Sequence, residues 1–391
     1  MHVAQISFFN DPQGRTPVQL LEAWASLVDV AEAAASADVR VSVLQASIHS
    51  ESLTRNGVRY HFRPFGRAPT TARQRAEFEQ ALRALAPDVI HVHGLDFGRE
   101  VCALGAVAEA PILLQDHADK PPRPWRRMAW QRGVSAAAAV MFCAKEQARP
   151  FAAAGLLKAG AQLYEVPEST SRFCPGDRAQ ARQATGVDGD PLVLWVGHLD
   201  TNKDPLTVLN GVSAAMRLLP GLQLYCCFGA APLRGVVEER IAADPALSTR
   251  THLLGRVPHE HIEMLMRAAD LFVLGSHREG SGYSLIEALA CALPPVVTDI
   301  PSFRALTGAG VVGRLWPCGD AGALCAALLA ITPQLGAEMR TAVHAHFERE
   351  LSRAALGRKL AAVYGELVEQ RRVGSAKSQR QACEPRGVRS S

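Results

Sequence analysis

An alternation of short apolar runs with longer helical segments opens at Val3, breaks off at Pro167 and starts again at Leu192. Short strands separated by helices are the pattern of a parallel sheet covered on both faces, so a pattern that runs twice predicts two such sheets. The first run offers strands at Val3–Phe8, Val39–Leu44, Val89–Val92, Ile112–Leu114, Val140–Phe142 and Gln162–Val166, with helical segments such as Val18–Ala35 and Ala72–Leu85 between them. The second offers Leu192–Val196, Leu222–Phe228, Thr251–Leu254, Leu271–Leu274, Pro295–Thr298 and Val311–Leu315, with helices starting at Pro205, His259, Ser284 and Asp320. The stretch from Pro167 to Pro191 between them reads as connector, with one short helix over Ala179–Ala184.

A chain of 391 residues exceeds one ordinary core and suits two domains. Its apolar fraction of 48% excludes a disordered chain. The expected division is a domain over 1–170, a second over 171–345, a helical segment over 346–370 and a flexible tail over 371–391. In that segment Leu356, Leu360, Val363, Tyr364 and Leu367 share one helix face, so it is expected to dock. No apolar run reaches a bilayer's span and no leader pattern opens the chain, which sets the expectation of a cytoplasmic protein. The nine cysteines lack the paired spacing of a structural zinc site and read as small buried hydrophobes.

A formal charge of +4 is too modest for a nucleic-acid partner, but it is unevenly spread. Arg55 to Arg75 carries six arginines without an acid. Lys120 to Arg132 carries five cations without an acid, interleaved with Trp125 and Trp130. The second stretch sets up two readings: a surface touching anionic lipid, or a solvated basic helix with core tryptophans.

Doubly wound sheets bind ligands beyond the carboxyl ends of their strands, so the loops after strands carry the candidate chemistry. After Leu271–Leu274 comes His277-Arg278-Glu279-Gly280-Ser281-Gly282-Tyr283-Ser284-Leu285-Ile286-Glu287, a glycine-bearing loop entering a helix, where backbone N–H groups and the helix dipole suit anions and hydroxyls. Glu287 falls in the apolar run Leu285 to Ala290, where a buried carboxylate needs a partner. After Leu192–Val196 comes Gly197-His198-Leu199-Asp200-Thr201-Asn202-Lys203, in which Gly197 permits close backbone approach and Lys203 brings a point charge to a phosphate.

Together these segments resemble the retaining glycosyltransferase family 4, with support from Leu254-Gly255-Arg256-Val257-Pro258, Ala269-Asp270-Leu271 and Pro294 to Asp299. The resemblance implies an α/β protein of the GT-B fold: two Rossmann-like domains facing each other across a cleft, with a C-terminal helix packing back on the N-terminal domain. It implies a nucleotide sugar as co-substrate, a carbohydrate or lipid-linked acceptor, no cofactor or metal, and a role in polysaccharide or glycoconjugate assembly. By position it implies that Lys203 holds the donor diphosphate, Glu279 a donor-sugar hydroxyl and Glu287 the ribose. Gly280, Ser281, Gly282, Tyr283 and Ser284 line the donor, and Gly197 and His198 lie at its phosphates. His198 stands where the family has arginine, which makes phosphate affinity dependent on pH. In the N-terminal half Gly14 and Arg15 stand in for a double-glycine loop at the donor phosphate. His93 ends a strand, and His117, in Leu114-Gln115-Asp116-His117, resembles a histidine near the donor sugar. The implied catalytic residues are Glu279, His117 and Lys203. Alternative readings are a sugar-nucleotide epimerase, needing acids and bases among His93, His117 and His198, and an inactive donor-binding scaffold. A nicotinamide dehydrogenase is disfavoured because no G-x-G-x-x-G follows an opening strand.

Overall fold

The computed structural model describes residues 1–65, 71–117 and 120–383, with residue 25 and residues 375–383 described by backbone alone. The chain forms two compact units. Unit 1 holds Met1–Phe142, Ala148–Val166 and the chain from Gly357 on; unit 2 holds Cys143–Gln147 and Pro167–Leu356.

Unit 1 is built on eight strands, β1 (His2–Ser7), β2 (Arg40–Ser47), β3 (Glu51–Arg55), β4 (Val58–Pro64), β5 (Val89–His93), β6 (Ile112–Gln115), β7 (Ala139–Phe142) and β8 (Gln162–Glu165). They lie in the order β3-β4-β2-β1-β5-β6-β7-β8, all parallel except the β3/β4 pair. The order reverses between β1 and β5, the kind of position where a crevice opens beyond the strand ends. β1, β5 and β6 are buried along their whole length, as expected of strands covered on both faces.

The structure departs from the sequence reading at three places in this unit. The arginine-rich stretch supplies the turn and second strand of the β3/β4 hairpin, turned at Asn56-Gly57 with both φ values positive (47° and 80°), which matches the twist of the strands it joins. On β4 buried Val58, Tyr60 and Phe62 alternate with outward Arg59 and Arg63, so the basic residues lie on the outer face of a strand paired on both sides. Residues 66–70 of that stretch lie outside the described residues. The single helix expected over Val18–Ala35 is two, Pro17–Ala23 and Ala25–Ala35, because Trp24 leaves helical geometry at φ −111°, ψ 78°. The terminal helix runs Arg353–Cys383 and so continues past Arg371, where an irregular tail was expected. No proline interrupts Arg371–Cys383, and its Arg, Gln, Lys and Ala residues favour helix; residues 384–391 lie outside the described residues.

Two details seat the terminal helix in unit 1. A Cβ on Gly357 would stand 2.3 Å from the Ala33 carbonyl oxygen, so the two backbones meet where only glycine fits. Beyond it Leu360, Val363, Tyr364 and Leu367 are buried.

Unit 2 has six parallel strands, β9 (Leu192–Val196), β10 (Gln223–Cys227), β11 (Thr251–Gly255), β12 (Leu271–Leu274), β13 (Pro295–Thr298) and β14 (Arg314–Trp316), in the order β11-β10-β9-β12-β13-β14. Here the order reverses between β9 and β12. Asp270, at the foot of β12, accepts from the Leu192 N–H (2.8 Å) and from Arg182 (2.7 Å), and also pairs with Arg178. That buried carboxylate fastens the connector helix, Arg178–Thr185, to the start of β9.

Candidate functional site

The loops after β9 and β12 leave the sheet of unit 2 side by side and are laced together. The His277 N–H donates to the Asn202 carbonyl (2.8 Å), the Asn202 amide donates to the Arg278 carbonyl (2.9 Å), and the His277 ring meets Asp204 (3.0 Å). Across this seam the Lys203 ammonium pairs directly with the Glu279 carboxylate, both side chains being largely covered (16% and 13% exposed). Two sequence candidates are therefore one ion pair at the topological switch point. A pair so placed holds both groups in position, and either can be drawn off by a ligand that offers it a better partner.

Gly282, at φ 81°, precedes the Tyr283–Ala290 helix and carries no side chain to cap it. A Cβ there would come within 2.6 Å of the Phe303 ring, so the close approach of this loop to the next helix needs glycine. Glu287 lies in the second turn of the helix and its Oε1 meets the His259 Nε2 at 2.7 Å. This is the partner that a carboxylate among Leu285, Ile286, Ala288 and Leu289 requires. The hydrogen bond and the negative charge of Glu287 raise the His259 pKa above its ordinary value against the opposing effect of burial.

Not every loop group faces outward. The Ser281 N–H donates to Glu168 Oε1 (2.7 Å) and the Ser281 hydroxyl accepts from the Glu168 N–H (2.9 Å). Gln147 donates to the carbonyls of Glu279 (2.8 Å) and Gly280 (3.0 Å), bracing the loop from a segment that no motif singles out. Ser284 sits in the first turn of the helix. His198 is exposed, and its Nδ1 accepts the Ala230 N–H at 3.1 Å, which leaves the proton of a neutral ring on Nε2. Arg256 reaches the same spot: a Cβ on Gly229 would meet His198 Cε1 at 3.4 Å and Arg256 Nη2 at 3.7 Å. The cation missing at position 198 thus has a neighbour that position-by-position matching of the β9 loop overlooks.

In unit 1 the loop after β1 is organised by Asp11, which accepts from the N–H groups of Arg15 (2.7 Å) and Gln13 (3.3 Å) and from the Arg15 guanidinium (2.8 Å). Burial opposes its ionisation, but these donors together hold its pKa below the ordinary value. Gly14 turns the loop at φ 64°, and Arg15 is occupied by Asp11. A cavity of about 490 Å³ opens beside it, lined by Asn10, Asp11, Gln13, Ser47, Phe65 and Gln74 among others. At the ends of β5 and β6, His93 Nδ1 meets His117 Nε2 at 3.1 Å. Burial, followed by the neighbouring His91 and His117, drives the His93 pKa well down, so the ring is neutral. Among the described residues no group of three or more His, Cys, Asp or Glu side chains is arranged to hold a metal ion.

Solved structures share this architecture over nearly the whole chain. The Anabaena protein HepE in complex with UDP superposes with a TM-score of 0.71 at 17% identity, covering 94% of this chain and 100% of that one. Sucrose-phosphate synthase from Thermosynechococcus elongatus superposes with a TM-score of 0.69 at 20% identity, covering 94% and 99%. The two parallel sheets with their helices are the GT-B fold. Within it, residues 177–334 match the model of glycosyl transferases group 1. Curated relatives include the D-inositol 3-phosphate glycosyltransferases of Nocardia farcinica (30% identical over 151 residues) and Mycobacterium tuberculosis (29% over 219 residues). The matches cover 37% and 54% of this chain but only 34% and 44% of the relatives' own lengths.

Proposed function

We propose that the protein is a retaining glycosyltransferase that moves a sugar from a nucleotide sugar to a hydroxylated acceptor in glycoconjugate or polysaccharide assembly. The observation that carries this reading is the Lys203–Glu279 pair at the β9/β12 switch point, with Glu287 in the second turn of the adjoining helix. A nucleoside diphosphate sugar offers each group a partner. Its diphosphate takes Lys203 and the start of the Tyr283–Ala290 helix, a sugar hydroxyl takes Glu279, and the ribose hydroxyls take Glu287. His198 Nε2–H and Arg256 add a donor and a positive charge beside Gly229. The UDP named with the Anabaena protein makes uridine the first nucleotide to try.

In the proposed reaction the bond from the anomeric carbon to the diphosphate oxygen breaks, and the acceptor oxygen bonds to the same face of that carbon. The acceptor proton passes to the departing phosphate oxygen. Lys203 and the helix start balance the charge that develops on the leaving group, work that a metal does elsewhere. His117 engages a hydroxyl of the donor sugar. The cavity beside Asp11 suits the acceptor, since amides, a carboxylate and a phenyl ring can meet the hydroxyls and the C–H face of a sugar or polyol.

We also propose a contact with anionic membrane, through the run Arg123–Met128. All six residues are exposed, with Trp125 at 73% and Met128 at 68%, and the Arg123 guanidinium lies 5.4 Å from the Trp125 ring centre. Trp130, by contrast, is a core residue stacked on Phe151, so only the first half of the basic stretch offers an amphipathic surface.

The donor reading is tested by thermal unfolding against UDP-, GDP-, ADP- and TDP-sugars, with Lys203→Ala and Glu287→Ala in parallel. A ligand at a hundred times its dissociation constant stabilises by about 2.7 kcal/mol. Stabilisation by one nucleotide family, lost in both folded variants, is the expected result; no shift with any nucleotide sugar at millimolar concentration overturns the reading.

A further inference from the structure

Both polar atoms of the Gln147 carboxamide are engaged by protein. Its Oε1 accepts the Ala144 N–H (2.7 Å) while its own backbone N–H donates to the Ala144 carbonyl (2.9 Å), so side chain and backbone close a ring about the single turn Lys145–Ala148. The Ala144 N–H can only donate, and the Glu279 and Gly280 carbonyls can only accept. One orientation of the amide satisfies all three: oxygen to Ala144, and the two hydrogens of Nε2 to the loop after β12 (2.8 and 3.0 Å). The segment has a second hold on unit 2. Glu146 pairs with one nitrogen of Arg304 (2.8 Å), whose other nitrogen pairs with Asp299 (2.7 Å) just beyond β13. Such partly exposed pairs add little stability, but they fix where the brace stands.

Gly280 is the point at which this loop most needs bracing. Without a Cβ, a glycine lets the peptides on its two sides rotate more freely than any other residue does. Both of those peptides place their carbonyl on Gln147. In a trans peptide the N–H points opposite to the C=O, so the N–H groups of Gly280 and Ser281 are turned away from Gln147. The second of them meets Glu168 Oε1, as that geometry requires. The first of the two peptides belongs to Glu279, whose carboxylate pairs with Lys203.

We propose that Gln147 is a positioning residue for sugar transfer: by holding the two peptides that flank Gly280, it sets the Glu279 carboxylate and the direction of the Gly280 N–H for the donor sugar. The inference rests on the nucleotide-sugar reading given above. Gln147 acts through the loop, since its own polar atoms are taken by protein.

The test compares the full chain with Gln147→Leu and Gln147→Glu. It reads amide exchange of Gly280 and Ser281 by ¹⁵N NMR, binding of UDP by calorimetry, and release of UDP from UDP-glucose with water as the acceptor. Gln147→Leu keeps the bulk and loses the side-chain hydrogen bonds. Exchange at Ser281 should quicken by about tenfold or more, and kcat should fall roughly ten- to hundredfold. UDP, which brings no sugar to Glu279, should bind as tightly as to wild type. Gln147→Glu keeps the acceptor for Ala144 but sets a charge against two carbonyls until it is protonated. Its turnover relative to wild type should therefore recover as pH falls from about 8 to about 5, which a mere loosening of the fold would not do. A folded Gln147→Leu protein with wild-type exchange at Gly280 and Ser281, or with wild-type kcat, overturns the proposal, as does a Gln147→Glu ratio that stays flat with pH. If wild type itself neither binds UDP nor releases it from UDP-glucose, the uridine form of the donor reading fails instead, and the exchange rates alone decide whether Gln147 holds the loop.

Discussion

Mild acid should open unit 1. Burial, reinforced by the charge of His117, lowers the His91 pKa from 6.5 to about 3, and His93 is lowered well below 6.5 by burial first and its histidine neighbours second. In the unfolded chain both titrate near their ordinary value, so below it the unfolded state binds protons that the folded state refuses. Stability from this source is intact above pH 6.5 and is lost as pH falls toward the folded values. Each pH unit in that window costs about 1.4 kcal/mol for a histidine held neutral, so at pH 5 His91 alone costs about 2 kcal/mol, and His93 acts in the same direction. His2, lowered mainly by burial, acts in the same direction. Against a domain stability of about 5–15 kcal/mol this is a large fraction. Amide exchange of the β5 backbone, corrected for the intrinsic rate, reports the opening of unit 1 itself. Protection should fall by at least about thirtyfold between pH 7 and pH 5, and His91→Gln should recover about thirtyfold of the loss. Wild-type protection that does not change between those pH values would refute the argument that these rings are buried and neutral.

Gly357→Ala forces a methyl against the Ala33 carbonyl, and should cost about 1–3 kcal/mol in thermal unfolding; an unchanged midpoint would mean that the helices stand further apart. Glu279→Gln frees Lys203, so calorimetry should find UDP bound as tightly as in wild type or more so, while sugar transfer falls by about a hundredfold; weaker UDP binding would contradict the assigned roles. His259 owes its raised pKa chiefly to Glu287, so their ionic contact stabilises the fold below pH 6.5 and fades as pH rises through the raised value. In an NMR titration Glu287→Gln should move the His259 midpoint down, and a midpoint that stays put would mean that the contact does not form in solution. Vesicle flotation with anionic lipid should depend on Trp125 and its flanking arginines; indifference of Trp125→Ala, or no flotation of the wild type, would dismiss the membrane proposal.

Much of unit 2 was legible from residues alone because its strands are unbroken apolar runs: Leu192–Val196, Leu271–Leu274 and Pro295–Thr298 begin and end where the sequence suggests. The β3/β4 hairpin was not, since its arginines sit on the outward positions and charge density hides a period-two alternation. The break at Trp24 has neither proline nor glycine to announce it. At the site, motif spacing brought Lys203 and Glu279 into view, but their direct pairing depends on the β9/β12 neighbourhood, which is a property of sheet order. The need of Glu287 for a partner could be read from its apolar surroundings; that His259 meets it could not, because 28 residues separate them. Gln147 was invisible for a similar reason, being a short excursion of the chain into unit 2.

The return of the terminal helix to unit 1 has a consequence for synthesis. Residues up to Val166 leave the ribosome about 190 residues before Gly357 does, an interval of roughly 10–40 s at common elongation rates. Throughout it the first-made half has β1 and β5 but not Leu360 or Tyr364, so Gln5 and His91 wait without the hydroxyl that joins them. The nascent first unit is therefore an incomplete core for the whole time that the second is being made, and a chain stalled in that window would be expected to need a chaperone rather than to fold and hold.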